Sequence, residues 1–229
     1  MRAILLDIEG TTTPIEFVHQ VLFPYARARA KDHLDERDVA ALRAEHRAEP
    51  AQDAPPWNRA DERASAEAYV YWLMDRDRKS TALKDLQGRI WEAGYRTGDL
   101  KGKGEVYDDV CPALVRWRNA GKDISIFSSG SVQAQRNLFA NTTAGDLSTY
   151  LSSYFDTTTG PKREAASYHR IARALRRKPP EVLFVSDVVA ELDAARAAGM
   201  QTALCVRGSV PPDVSPPAHP RIHSFAELA

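Results

Sequence analysis

The sequence lacks the features of several specialised protein classes. Its 229 residues include only two cysteines, Cys111 and Cys205, which lie far apart and outside any metal-ligand spacing. Neither a disulfide framework nor a zinc site is therefore expected. No apolar run approaches the length of a membrane span, and the run before Asp7 is too short for a signal peptide. We expect a cytoplasmic protein with reduced thiols and no membrane partner.

Charge of one sign is not in excess either. The chain has 31 basic and 31 acidic residues and a formal net charge of zero. Such a balance gives no electrostatic footprint for nucleic acid or for an anionic membrane. The length is sufficient to bury a substantial core in one large domain or two modest ones. We expect a monomer without a nucleic-acid partner.

The chain is organised around the stretch Asp-Ile-Glu-Gly-Thr-Thr-Thr, residues 7–13. Four apolar residues precede it, too few for a core helix and enough for a buried strand. Gly10 and the threonines then break the apolar run with turn chemistry. Asp7 and Glu9 would point to the same side if the chain stayed extended past the strand. The pattern predicts two acids at the carboxyl end of a strand, where ligands bind in open α/β sheets.

Residues 15–105 show helical periodicity and nothing typical of a strand. Apolar residues recur at helical spacing from the start of this region, and Pro24 is expected to kink or restart the helix. Further helices are predicted over 61–76 and 81–93, the second after a capping residue at Ser80. The region is therefore expected to be entirely helical.

Strands and helices alternate in the rest of the chain. Helices are predicted over 109–120, 131–140, 164–177 and 188–198, strands over 124–127, 154–156, 182–185 and 202–206, and a proline-rich surface loop over 211–220. This alternation predicts an α/β fold with a parallel sheet. The connection from residue 8 to residue 124 far exceeds the dozen or so residues that a crossover needs. We therefore expect an all-helical cap domain, 15–105, inserted into a core of 1–14 and 106–229.

Polar residues suited to phosphate chemistry lie at the predicted strand ends and in the loops beside them. Because the carboxyl ends of parallel strands share one edge of the sheet, such residues can converge. An ionised aspartate is a competent nucleophile toward phosphorus, and Mg²⁺ held by carboxylates would relieve its repulsion of an anionic substrate. The residues concerned are Asp7, Glu9, Ser128, Ser129, Lys162 and Asp187.

The residue types also indicate roles. Asp7 is predicted to form an aspartyl-phosphate, and Asp7 and Asp187 to supply carboxylates to the metal. Ser128 would donate its hydroxyl to a phosphate oxygen, with the backbone N–H groups of Ser129 and Gly130 as further donors.

The remaining two residues would handle charge and protons. Lys162 would neutralise the phosphate and the nucleophile together. Glu9 would protonate the leaving oxygen and later deprotonate the water that attacks the aspartyl-phosphate.

Each of these residues has a structural alternative. Asp187 could be an ordinary helix cap, residues 128–130 could be a simple turn, and Lys162 could be a solvated surface lysine. Glu191, one turn beyond Asp187, is interpreted as an acid on the helix face, with a place near the metal as the alternative. What favours the functional interpretation is the order of the whole set along the chain.

That ordered set resembles the haloacid dehalogenase superfamily of phosphohydrolases over nearly the whole chain. Glu9 stands where most of that superfamily has aspartate, and the form Asp-Ile-Glu-Gly-Thr-Thr-Thr is similar to its enolase-phosphatase branch, also called acireductone synthase. Longer strings are similar to this branch as well, at residues 14–18, 22–25, 77–79, 81–84, 86–88 and 128–132.

The resemblance implies a Rossmann-like parallel-sheet core with a helical cap and a requirement for one Mg²⁺ per chain. It implies a small-molecule phosphate ester as substrate, 2,3-diketo-5-methylthiopentyl-1-phosphate of methionine salvage. The residues it assigns are Asp7, Glu9 and Asp187 for the metal, with Glu9 acting through its backbone carbonyl, and Ser128, Ser129 and Lys162 for the substrate.

Some points depart from this pattern or stay open. Arg207-Gly208-Ser209 replaces an expected Arg-Pro-Gly after the last strand, a change expected to lie far from the chemistry. The base for enolisation is not identified, although Glu9 is chemically suitable. A general phosphomonoesterase of the same superfamily is the alternative enzyme. A phosphoacceptor signalling domain is the alternative from another class, and the inserted helical region argues against it.

Overall fold

The computed structural model describes residues 1–208 and 218–228. The chain divides into two compact units, one formed by Met1–Val18 with Leu100–Ala229 and the other by His19–Asp99. The helical region predicted from the sequence, 15–105, extends a few residues beyond the second unit at both ends. Most of the loop predicted over 211–220 lies outside the described residues.

The first unit is built on a six-stranded sheet in which all neighbouring strands are parallel. The strands are β1 (Ala3–Leu6), β2 (Asp123–Phe127), β3 (Ser153–Phe155), β4 (Val182–Ser186), β5 (Gln201–Cys205) and β6 (Arg221–Ile222). Their order across the sheet is β3-β2-β1-β4-β5-β6. The predicted α/β class is confirmed. The strand β6 was not predicted, because two residues are too few to show a period.

The register of the central strands decides where the site lies. Leu6 of β1 pairs with Ile126 of β2 on one side and with Val185 of β4 on the other. All four residues of β1 are fully buried, as expected for a strand covered on both faces. The residues that follow β1, β2 and β4 therefore emerge side by side at one edge of the sheet.

The described part of the chain contains nine α-helices. They are α1 (Ile15–Phe17), α2 (Phe23–His33), α3 (Glu36–Ala48), α4 (Glu62–Asp75), α5 (Thr81–Thr97), α6 (Val110–Asn119), α7 (Val132–Ala140), α8 (Ala165–Ala174) and α9 (Val189–Ala197). Helices α2–α5 belong to the second unit. None of the helices in the described residues is long and apolar enough to cross a membrane.

The core of the first unit contains a row of aromatic side chains beneath the site. Tyr168 of α8 lies between Phe127 of β2 and Phe184 of β4, with ring centroids 5.6 and 5.1 Å apart. All three side chains are fully buried. Burial of each ring contributes about 1.5–3 kcal/mol to folding. This packing fixes α8 and the loop before it against the sheet.

The second unit is an assembly of helices with capped ends. A π-helical turn over Val18–Leu22 precedes α2. Helix α2 has Pro24 in its first turn, which agrees with the prediction that the helix restarts at this proline. Helix α5 begins where the hydroxyl of Ser80 accepts a hydrogen bond from Leu83 N at 2.9 Å. The apolar stripe of α3 is too weak to have predicted that helix, which starts with a capping box formed by Asp35 and Asp38.

Candidate active site

Asp7 comes directly after β1 and is 3% exposed. Its Oδ1 accepts hydrogen bonds from the backbone N–H of Ile8 at 2.8 Å and from Nζ of Lys162 at 2.6 Å. Its Oδ2 accepts from the hydroxyl of Ser186 at 2.9 Å. These partners compensate for burial of the charge, which would otherwise be costly. The carboxylate is therefore held in one orientation at the edge of the sheet.

Lys162 joins two carboxylates. Its Nζ lies 2.6 Å from Oδ1 of Asp7 and 2.7 Å from Oε2 of Glu191. Burial alone would lower the pKa of Lys162, but the two carboxylates outweigh it, so the pKa is raised above its ordinary value. Tyr168 donates from its hydroxyl to the carbonyl oxygen of Lys162 at 2.7 Å, which fixes the backbone. The lysine is thus a permanent cation beside the candidate nucleophile.

Glu191 is buried rather than exposed on the face of α9, so the helix-face interpretation is wrong. Burial and the charge of Asp7 raise the pKa of Glu191 to about 7, against the attraction of Lys162. The hydroxyl of Ser186 lies 3.3 Å from Oε2 of Glu191 as well as near Asp7. Sequence reasoning missed Ser186. Ser186 could have been found from the sequence, because it is the one polar residue of β4.

Asp187 follows β4 and remains accessible to solvent. The protein atoms around it and the negative charge of Asp7 raise the pKa of Asp187 to about 6. Gly10, with φ of +68°, lies against this side chain, and a Cβ added there would be 2.3 Å from Oδ2 of Asp187. A glycine is therefore needed both for the backbone conformation and for the approach of the Asp187 carboxylate.

The carboxylate oxygens of Asp7 and Asp187 are suitable ligands for a hard divalent cation. Within the described residues, no group of three or more His, Cys, Asp or Glu side chains is arranged to hold a metal. Mg²⁺, however, usually keeps several waters and needs only one or two carboxylates. Asp7 and Asp187 provide two, and burial together with the negative charge of Asp7 raises the pKa of Asp187. Because Gly10 has no side chain, the backbone of the turn also lies close to the Asp187 carboxylate.

Ser128 follows β2 and is 1% exposed. Its hydroxyl oxygen accepts a hydrogen bond from the backbone N–H of Gly130 at 3.2 Å, which leaves its own O–H to donate to a phosphate oxygen. The Gly130 amide, expected to bind phosphate, is thus already engaged. Ser129 is exposed, and α7 begins only at Val132.

Glu9 is half-buried in the turn that follows Asp7. The strand β1 ends at Leu6, and the carbonyl oxygen of Ile8 accepts hydrogen bonds from the backbone N–H groups of residues 11–13 at 2.9–3.2 Å. The turn that starts at Ile8 therefore includes Glu9, and the chain does not stay extended past the strand. The role of Glu9 as acid and base stays a prediction.

Arg207, the unchanged first residue of the motif that departs from the expected Arg-Pro-Gly, contacts the turn after Asp7. Its Nε and Nη2 donate hydrogen bonds to the carbonyl oxygen of Thr11 at 3.0 and 2.7 Å. Thr11 belongs to the turn that begins at Asp7. Ser209, the last residue of the departing motif, lies outside the described residues.

Replacing Gly10 with alanine should displace the Asp187 carboxylate and weaken divalent-metal binding by about tenfold or more, since 1.4 kcal/mol already corresponds to tenfold. The backbone conformation alone costs about 1–2 kcal/mol for a residue with a Cβ. Gly121→Ala is the matched control, because Gly121 has φ of +71° but open space where its Cβ would lie. We expect both variants to lose thermal stability and only Gly10→Ala to lose metal affinity by titration calorimetry. Equal metal affinity in the two variants would contradict this packing argument.

The chain is similar to known hydrolases over its whole length. A family model described as haloacid dehalogenase-like hydrolase matches residues 1–199. The chain is 53% identical over 237 residues to the enolase-phosphatase E1 of Synechococcus elongatus, an alignment that covers 100% of this chain and 98% of that protein. It is 48% identical over 232 residues to the enolase-phosphatase E1 of Azotobacter vinelandii, covering 100% and 97% of the two chains. The crystal structure of the UTR4 protein of Saccharomyces cerevisiae matches with a TM-score of 0.75 at 32% identity, over 99% of each chain.

Proposed function

Because the chain belongs to the haloacid dehalogenase-like hydrolases and, among them, to the enolase-phosphatases, we propose that Asp7 is its phosphoryl-accepting nucleophile. The activity is that of an acireductone synthase in methionine salvage. The diketone phosphate 2,3-diketo-5-methylthiopentyl-1-phosphate is enolised, and its phosphate ester is then hydrolysed. The general phosphomonoesterase and the signalling domain are set aside because relatives at about half identity along the whole chain are enolase-phosphatases.

The observation that carries the proposal is the fixed, buried carboxylate of Asp7 between Lys162 and Ser186. An Asp7 oxygen attacks phosphorus, and the bond from phosphorus to the ester oxygen breaks as the aspartyl-phosphate forms. Glu9 gives its proton to the leaving oxygen. Glu9 then takes a proton from the water that attacks phosphorus, so that inorganic phosphate leaves and the Asp7 carboxylate is regenerated.

Enzymes of this family use a divalent metal, and the proposed ion is Mg²⁺, one per chain. Its proposed ligands are the carboxylates of Asp7 and Asp187 and the backbone carbonyl of Glu9. When bound, Mg²⁺ supplies positive charge that neutralises phosphate oxygens and acidifies the carbon next to the substrate carbonyl. Asp7 and Asp187 follow the neighbouring parallel strands β1 and β4, so both emerge at the same edge of the sheet.

The substrate phosphate is proposed to bind to Ser128, Ser129 and Lys162. Ser128 would donate its O–H, and Lys162 would share its charge between the phosphate and Asp7. The exposed position of Ser129 leaves its backbone and hydroxyl open to a ligand. That the protein is a cytoplasmic monomer stays a prediction.

The function is tested by incubating the purified protein with the diketone phosphate and Mg²⁺ while recording the absorbance of the enol product and free phosphate together. We expect both signals, with enol formation preceding phosphate release. Phosphate release from many unrelated esters without an enol signal would indicate a general phosphomonoesterase instead.

Replacing Asp187 with asparagine should stabilise the metal-free protein at pH 8 and remove the stabilisation that Mg²⁺ gives the wild type. A carboxyl whose pKa is raised on folding destabilises the native state progressively as the pH rises from the ordinary value, here 3.8, to the raised value, here about 6, and the full effect is present above it. At pH 5, between the two pKa values, the benefit of the substitution should be smaller than at pH 8, and it should vanish only below about pH 3.8, where Asp187 is protonated in both the folded and the unfolded state. Melting temperatures with EDTA and with Mg²⁺ at both pH values measure this. A wild-type response of the variant to Mg²⁺ would remove Asp187 from the metal site.

A further inference from the structure

Arg207 lies just past β5 and is almost entirely buried, with 9% of its side chain exposed. Its guanidinium contacts the rings of Tyr107 and Phe225, with the central carbon 4.3 and 4.6 Å from the two ring centroids. Its Nη1 donates to Oδ2 of Asp109 at 2.7 Å. An arginine held between two rings and a carboxylate has one fixed orientation.

The free side of this guanidinium is directed at the turn after Asp7. Nε and Nη2 both donate to the carbonyl oxygen of Thr11, at 3.0 and 2.7 Å. The backbone N–H of Tyr107 donates to the carbonyl oxygen of the next residue, Thr12, at 3.1 Å. The hydroxyls of Thr11 and Thr13 are buried and have no hydrogen-bond partner within the described residues. The outer side of the turn is therefore held by its backbone carbonyls.

The inner side of the same turn touches the proposed nucleophile. The carbonyl oxygen of Ile8 accepts from the N–H of Thr11 at 3.2 Å and from that of Thr12 at 2.9 Å. The hydroxyl of Thr12 donates to the backbone carbonyl of Asp7 at 3.0 Å, and Ile8 N–H donates to Oδ1 of Asp7 at 2.8 Å. A shift of Thr11 is therefore transmitted to Asp7 through two hydrogen bonds.

We propose that Arg207 is a positioning residue for phosphoryl transfer. By holding the Thr11 carbonyl it fixes the turn that orients Asp7 and carries the Glu9 carbonyl. Asp109 supports it from behind, because its Oδ2 also accepts from the hydroxyl of Ser224 at 2.8 Å and from the N–H of Phe225 at 2.5 Å. This inference rests on the proposed role of Asp7.

The test compares Arg207→Met with Arg116→Met. Arg116 anchors the same C-terminal segment, donating to the carbonyl oxygens of Phe225 at 2.7 Å and Leu228 at 3.1 Å, but it has no contact with the Thr11 turn in the described residues. Arg207→Met loses a buried guanidinium and Arg116→Met loses an exposed one, but each guanidinium holds backbone carbonyl groups, so both variants should melt at lower temperature. Only Arg207→Met should lose kcat, by about 10- to 100-fold, as expected when a reacting group is misplaced by about 1 Å.

Two further readouts separate positioning from general destabilisation. Hydrogen exchange of the residue 11–13 amides should be faster in Arg207→Met while the amides of β1 stay protected, and the Kd for Mg²⁺ should rise several-fold. Arg207→Lys keeps a charge for Asp109 but cannot donate twice to Thr11, so its kcat should fall between those of the wild type and Arg207→Met. All assays are run well below the melting temperature of each variant.

The proposal is overturned if Arg207→Met keeps kcat within twofold of the wild type, or if Arg116→Met shows the same losses of kcat and Mg²⁺ affinity. Failure of the proposed role of Asp7 is seen separately, as phosphate release by Asp7→Asn. If Asp7→Asn is inactive and Arg207→Met is fully active, the result supports Asp7 as the nucleophile and contradicts the positioning role of Arg207.

Discussion

Asp7→Asn should abolish phosphate release, lowering kcat by about 10³-fold or more, as loss of a nucleophile does in other covalent mechanisms. An amide is a poor nucleophile, whereas its shape matches that of the carboxylate. The fold should persist, because Lys162 keeps its ion pair with Glu191 at 2.7 Å. Burial and the negative charge of Asp7 raise the pKa values of Asp187 and Glu191, and the substitution removes the second of these two causes. Released phosphate, measured at saturating Mg²⁺, reports the result.

The same variant should separate the two chemical steps. Enolisation needs a base and the metal but no nucleophile, and an amide oxygen still coordinates a cation weakly. We therefore expect Asp7→Asn at high Mg²⁺ to accumulate a phosphorylated enol, or to incorporate deuterium at the acidic carbon, without free phosphate. A folded, metal-loaded variant that gives neither signal would place enolisation after hydrolysis, or assign it to Asp7 itself.

Asp38→Asn is the matched control for Asp7→Asn. Asp38 is also a buried carboxylate, 4% exposed, and its Oδ1 pairs with Arg89, but it lies in the helical unit as part of a capping box. We expect this variant to lose stability and to retain its rate of phosphate release. Turnover like that of the wild type in folded Asp7→Asn would end the aspartyl-phosphate mechanism.

Lys162→Met should be the second most damaging substitution, because it affects stability and chemistry together. It leaves the carboxylates of Asp7 and Glu191 buried without their shared cation. Removing one partner of a buried ion pair costs about 3–5 kcal/mol. Loss of the charge that neutralises phosphate and nucleophile should lower kcat by about 10³-fold, the scale of one charge-stabilising group in an active site. Denaturant unfolding and steady-state kinetics measure the two effects.

A double variant distinguishes the structural role of Lys162 from the chemical one. Glu191→Gln removes one of the two carboxylates that Lys162→Met leaves without a cation. The double variant Lys162→Met with Glu191→Gln should therefore regain part of the lost stability. It should not regain activity, because the charge beside Asp7 is still missing. Lys178→Met, at an exposed lysine, is the control and should leave both quantities unchanged. Recovery of activity in the double variant would mean that Lys162 acts only on the fold.

The sequence by itself determined most of the helices and strands and most of the candidate residues. The strand β1 is a short apolar run ended by Asp7 and a glycine-threonine turn, a pattern that depends only on neighbours in the chain. The helix cap at Ser80 and the helix restart at Pro24 also depend only on neighbouring residues in the chain. The oversized connection after β1 indicated an insertion, because the length of a crossover is a matter of chain geometry. The strand-end acids, serine and lysine followed from the same reasoning.

Only the tertiary structure decided which side chains meet. The register of β1 with β4 places Ser186 beside Asp7, and the packing of α9 against the sheet buries Glu191 next to Lys162. A period of 3.6 residues shows that a glutamate lies on a helix, but it does not say which cation will face it. Arg207 lies 196 residues from Thr11 in sequence, yet it donates twice to its carbonyl oxygen. Such contacts depend on the order of the strands across the sheet, which local periodicity does not encode.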